Sequence, residues 1–309
     1  MSLLDLFWRP RSSTPKSREL VAHDVRRLEL KSRRFMDSPA LGPYESLFRG
    51  HGIEFSEVRL YQPGDPFQAI DWKVTARMRI PYVKRFVEER ELAVLLMIDV
   101  SASNDFGTRG GLKRDLASEV ASVLALAAMR SGDPIGLLLF SDRIERYVRP
   151  ARGRDRNLRL LYDLVSFEPE GRRTDLNLAL TTAARMLSVR SLVFVISDFV
   201  NATDLVRPML ALASRHDVIA IDISDPAERE LPESGWVEFE DPEVGQRAVV
   251  DLSNPSVRKD LSDQARARDR EVEQLLGRCH VDLVRLQTNR PYQSGLAAFF
   301  AARGRRRFR

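Results

Sequence analysis

Cysteine is almost absent from these 309 residues, with Cys279 the single example. A lone thiol excludes an internal disulfide framework and a cysteine-rich zinc site, and makes a reducing compartment, the cytoplasm, the expectation. Histidine is also sparse, with four examples, and His23, His51, His216 and His280 lie too far apart in sequence to suggest a metal cluster or a histidine-based catalytic group. Long apolar runs are missing too. The best candidates, residues 92–98 and 120–129, fall well short of the roughly 20 apolar residues that span a bilayer. Residues 1–15 have no run of secretory length, although Leu3, Leu4, Leu6, Phe7 and Trp8 leave contact with a membrane surface or a partner open.

The charge is present but unspecialised. A formal net charge of +5 and a pI near 9.5 are modest beside 44 acidic residues, and the basic end Arg303, Arg305, Arg306, Arg307 and Arg309 lacks interleaved aromatics. Nucleic acid is therefore not expected as a partner, and residues 301–309 read as a solvated tail. With 43% hydrophobic and 30% charged residues, the composition is that of a soluble chain long enough for a large core.

Hydrophobic patterning divides the chain. Residues 1–16 read as a flexible terminus. Residues 17–91 read as a helix followed by a small β-rich module, with strands near 53–61 and 82–87 around the turn signal Pro63-Gly64-Asp65-Pro66. From residue 92 to 300 short apolar runs (92–98, 135–140, 192–196, 218–223, 281–286) alternate with helical patterns (112–127, 158–165, 176–187, 205–214 and 255–276). That alternation predicts an α/β fold, a Rossmann-like, mostly parallel sheet flanked by helices. A β-hairpin insertion is expected at about 233–252, around the turn Asp241-Pro242-Glu243-Val244-Gly245.

The chemistry gathers at strand ends. Ligands of open parallel sheets bind outside the carboxyl ends of the strands, and two predicted strands finish there in aspartate, Asp99 and Asp198. Ser101 and Ser103 follow the first, and the loop 171–175 adds Thr174. Each fragment by itself fits an ordinary helix cap. Together, Asp99, Ser101, Ser103, Thr174 and Asp198 form an all-oxygen, low-charge set suited to Mg2+ or Mn2+. Asp175 is a supporting candidate. Pro63-Gly64 fits the centre of a type II turn, Trp72 reads as an apolar anchor, and Asp71 as a partner for Arg59 or Arg77.

These residues also carry a resemblance. Asp99-x-Ser101-x-Ser103, Thr174 and Asp198 resemble the metal-ion-dependent adhesion site of von Willebrand factor A-like domains. More narrowly, Gly50-His51-Gly52-Ile53-Glu54-Phe55, the stretch from Arg59 through Pro63-Gly64-Asp65, and Ile70-Asp71-Trp72 with Ala76-Arg77 resemble the bacterial domain-of-unknown-function family fifty-eight, over roughly residues 17–300. That family often has Arg at the position of Gln68 and Met at that of Asn104; these departures bear on partner choice and leave the ligand set intact. The resemblance implies a von Willebrand factor A-like fold and one open coordination position for a partner's carboxylate. It also implies a MoxR-type AAA+ ATPase, or that ATPase's client, as partner, in assembly or maturation of a complex.

Catalytic turnover is not expected. A phosphohydrolase of the haloacid dehalogenase type resembles Asp-x-Asp with a lysine nearby, whereas position 101 is Ser101, and only Asp105 and Asp175 stand close in sequence as candidate bases. Two alternatives stay open: that magnesium-dependent phosphohydrolase, and a structural or membrane-peripheral module whose ion merely stabilises loops.

Overall fold

The computed structural model describes residues 55–86, 92–108, 111–200, 204–231 and 233–307. The expected helix at 17–34, the flexible terminus 1–16 and most of the Gly50–Phe55 block lie outside them.

In the small module, β1 (Phe55–Leu60) and β2 (Tyr82–Phe86) pair antiparallel, with α1 (Trp72–Met78) between them. The turn is as expected: Asp65 N–H donates to Gln62 O at 3.0 Å, and Gly64 takes φ +111°, a conformation that favours glycine. Arg59 closes its guanidinium fork on Asp65 at 2.7 and 2.8 Å, six residues away within the same turn, while Asp71 caps α1 by accepting from Lys73 and Val74 N–H. One expectation changes, that for Trp72, which is not an anchor. Standing at the first position of α1, it points outward and is 62% exposed.

The larger part is a mixed α/β layer structure. A six-stranded sheet is built from β3 (Ala93–Asp99), β4 (Ile135–Phe140), β5 (Ile144–Ala151), β6 (Ser191–Ser197), β7 (Asp217–Ser224) and, after hairpin β8 (Trp236–Glu240) and β9 (Arg247–Asp251), β10 (Asp282–Gln287). Its order is β10-β7-β6-β3-β4-β5, parallel throughout except for the edge pair β4 and β5. The antiparallel β5 escaped the sequence pattern because its run IERYVRPA is charged and carries Pro150, features an edge strand tolerates and a central one does not.

Helices α2 (Lys113–Ser131), α3 (Arg154–Ser166), α4 (Leu176–Met186), α5 (Val206–Ala213), α6 (Pro255–Arg278) and α7 (Tyr292–Arg307) flank the sheet. Every residue of β3, β4 and β6 is buried, as continuous apolar strands covered on both faces require. Alternate residues divide the core. Val94, Leu96 and Ile98 of β3 join α2, while Leu95 and Met97 join α4. Helix α7 runs through residues 292–307, most of the stretch read as a solvated tail. Its Arg303 is drawn in because Asp217 and Asp282 both ion-pair with it and Phe299 lies under its guanidinium. No helix among the described residues is long and apolar enough to cross a membrane.

Chain order fixes where a site belongs. From β3 the chain crosses to β4 on one side, and β6 then returns to the other side of β3 and leads on to β7. The connections therefore diverge between β3 and β6, and the crevice opens at their carboxyl ends.

Candidate metal centre

Asp99 is the last residue of β3, and Asp198 directly follows β6, so the two carboxylates flank that crevice. Both side chains are buried, with Asp99 2% exposed as a residue and the Asp198 side chain 3%. Asp99 Oδ1 accepts the Ser101 backbone N–H at 3.0 Å and Oδ2 accepts the Ser197 hydroxyl at 2.7 Å. The chain then folds into a short 3-10 turn, Ala102–Asp105, which sets Ser101 Oγ and Ser103 Oγ 3.0 Å apart. Ser103 also helps hold the Asp198 carboxylate below its ordinary value. Asp99, Ser101 and Ser103 thus form one connected chain, with the Asp198 charge close enough to Asp99 to raise its pKa.

Thr174 arrives on the loop before α4. Ala102 N–H donates to Arg172 O at 2.9 Å and Asp175 N–H to Ser141 O at 2.9 Å, which fastens the loop between the β3 and β4 ends. Gly171 permits this approach, since a Cβ there would collide with Ser141 Oγ and Asp142 Oδ1. Thr174 Oγ1 donates to Glu243 Oε1 at 2.7 Å, at the tip of the hairpin. Asp175, the supporting candidate, caps α4 with its carboxylate, accepting Leu178 N–H at 2.8 Å.

Sequence reasoning missed four residues here. The most consequential is Lys113, the first residue of α2, whose Nζ lies 2.7 Å from Asp198 Oδ2 and 2.6 Å from Glu228 Oε1 with its side chain 2% exposed. A signal existed, because Lys113 falls on the same helical stripe as Leu116, Ala117 and Val120, and a lysine on an apolar face needs a partner. Glu228 is aimed by a capping box: its Oε2 accepts Asp225 N–H at 3.0 Å. Asp225-Pro226-Ala227-Glu228 carries that pattern in sequence. Ser197 and Glu243 gave no comparable signal.

The electrostatics separate the two aspartates. Burial pushes Asp99 up to about 7, assisted by the negative charge of Asp198 and opposed by the Ser101 and Ser197 hydrogen bonds. Burial acts on Asp198 in the same direction, but the Lys113 ammonium and its hydrogen bond outweigh it and hold Asp198 below its ordinary value. Lys113 is itself raised, the two carboxylates overcoming its desolvation. Glu243 is raised by burial, with Asp198 contributing and Thr174 opposing.

These groups fit a small hard cation. No cluster of three or more His, Cys, Asp or Glu at metal-binding spacing occurs among the described residues, so a cation here must rest largely on hydroxyls. The Ser101 and Ser103 pair supplies them. Beside the pair stands Asp99, buried with no ion pair among the described residues, while the Lys113 ammonium is held between Asp198 and Glu228. Oxygen donors of low total charge with excess negative potential are what Mg2+ or Mn2+ takes.

The family described as Protein of unknown function DUF58 matches residues 57–271. The chain belongs to this family. Among similar proteins, the uncharacterized protein Rv1480 of Mycobacterium tuberculosis is 35% identical over 288 residues, covering 92% of this chain and 90% of its own length. The uncharacterized protein YeaD of Bacillus subtilis is 33% identical over 87 residues, which is 28% of this chain and 20% of YeaD. Among solved structures, the conserved hypothetical protein BatB from Bacteroides thetaiotaomicron superposes with a TM-score of 0.44 at 17% identity, covering 70% of this chain and 99% of BatB. The match includes every residue of the centre from Asp99 to Glu243.

Proposed function

We propose that the chain is a metal-dependent protein-interaction adaptor with a von Willebrand factor A-like domain, whose adhesion-type site captures a carboxylate through Mg2+ or Mn2+. One observation carries this reading. Asp99, Ser101, Ser103 and Asp198 come from the carboxyl ends of β3 and β6, and the Thr174 loop is fastened beside them, which supports a shared set of oxygen donors. Ser101 and Ser103 offer direct ligands, and Asp99 supports them from the floor of the crevice. Asp198, with Oδ2 committed to Lys113 and Oδ1 accepting Val200 N–H at 3.3 Å, acts through the Ser103 hydroxyl or a water. When bound, the ion supplies a concentrated positive charge for a partner's carboxylate.

A MoxR-type AAA+ ATPase, or its client, is the partner this reading favours, in the cytoplasm and in assembly or maturation of a complex; contact with a membrane would be peripheral. The test is a pull-down from native lysate in magnesium, in chelator, and with Ser101→Ala plus Ser103→Ala. Recovery of an AAA+ ATPase only with magnesium and the unaltered chain supports the adaptor. Identical proteins in all three lanes refute it and leave the ion a stabilising role.

Lys113 lends specific weight to a second reading, because it brings a lysine to a strand-end aspartate as magnesium-dependent phosphohydrolases do. Its ammonium is bound between Asp198 and Glu228, however, and position 101 offers a hydroxyl in place of a second acid. Magnesium-dependent phosphatase turnover that disappears in Asp99→Asn would establish this alternative over the adaptor.

A further inference from the structure

The β8–β9 hairpin ends in a constructed turn. Asp241 Oδ1 accepts Glu243 N–H at 2.8 Å and Val244 N–H at 3.3 Å, and Gly245, at φ +70°, donates its N–H to Asp241 O at 2.7 Å. This turn fixes the direction in which Glu243 leaves the backbone. Its target is the Thr174 loop: Thr174 donates its hydroxyl to the Glu243 carboxylate at 2.7 Å. One residue earlier in the hairpin, Pro242 O accepts Arg172 Nη2 at 3.1 Å. The strands behind the tip are solvent-facing, with Trp236 74% and Val249 62% exposed. Among the described residues they pair with each other alone as a separate two-stranded sheet.

We propose that Glu243 is the metal centre's own docking carboxylate, a latch in cis that takes the position an outside carboxylate would use and that a partner must displace. This rests on the metal-site reading above. The chemistry of that reading calls for a carboxylate beside Thr174 at the mouth of the crevice, and the hairpin delivers one. A tethered carboxylate competes at an effective concentration in the millimolar range. A single external acidic side chain therefore does not displace it, and a partner must also engage the hairpin or the adjoining loops. The latch thus sets a threshold for docking and excludes stray acidic peptides.

The test uses Mn2+ alone as probe, with the full chain and the variants Glu243→Gln and Glu243→Ala, each checked for unchanged thermal unfolding in chelator. Mn2+ affinity and inner-sphere water are read by proton relaxation, and amide exchange is read across residues 236–251. The expected result is a loss of about tenfold in Mn2+ affinity and a gain of about one bound water in both variants. Slowed exchange of the hairpin on adding Mn2+ is expected in the unaltered chain alone. Equal water number and equal hairpin exchange in all three proteins overturn the latch. Asp99→Asn separates the two ideas. If Mn2+ binds and needs Asp99 while Glu243 changes nothing, the latch alone fails; if the unaltered chain binds no Mn2+, the metal-site reading and the latch fall together.

Discussion

Replacing Lys113 by Met tests the electrostatic arrangement of the centre most directly. Met keeps the length and apolar stem of the side chain, so the change isolates the ammonium. That ammonium is 2.7 Å from Asp198 and 2.6 Å from Glu228, but the two carboxylates are not equally dependent on it: the Asp198 side chain is 3% exposed and that of Glu228 is 31%. Glu228 can rehydrate, and its share is at most about 1 kcal/mol. Asp198 cannot, and leaving a buried carboxylate without its partner costs about 3–5 kcal/mol. Urea unfolding in chelator, by linear extrapolation, should show a loss of that size with an unchanged slope. Adding Asp198→Asn to Lys113→Met should recover most of it, since removing both charges of a buried pair is often nearly neutral. A loss below about 1 kcal/mol, or a double variant no more stable than the single one, would refute the claim that Lys113 exists to neutralise Asp198.

Two further changes probe the surroundings. Asp222 is pushed up to about 7 by burial, against the pull of Arg229 and Arg285 at 3.9 and 3.7 Å. The folded chain therefore holds this proton more tightly than the unfolded chain, so its contribution is complete below the ordinary carboxylate range and is lost as pH rises through about 7. Asp222→Asn should gain on the unaltered chain by up to about 4 kcal/mol between pH 4 and 8; a constant offset in denaturation curves across that range would contradict the assignment. Asp175→Ala should cost about 1 kcal/mol through the lost α4 cap and leave Mn2+ affinity unchanged, whereas a large fall in affinity on titration would make Asp175 a ligand.

The sequence alone determined the strand-helix alternation, because strands buried on both faces must be continuously apolar and their crossover helices must carry a stripe. Residues 135–140 illustrate this, with strand bounds that match the pattern. It also placed Asp99, Ser101, Ser103, Thr174 and Asp198 at one edge, since strand ends of a parallel sheet share a direction. Local composition misled where the outcome depended on distant neighbours. Trp72 looks like an anchor yet faces outward, and the arginines after residue 300 look solvated until Asp217 and Asp282 meet Arg303. Tertiary structure alone decided the charge balance of the centre. Lys113, Glu228 and Glu243 come from a helix start, a capping box and a hairpin tip, and no sequence spacing relates them. Their convergence follows from the order of strands in the sheet, which fixes which loops meet over the crevice.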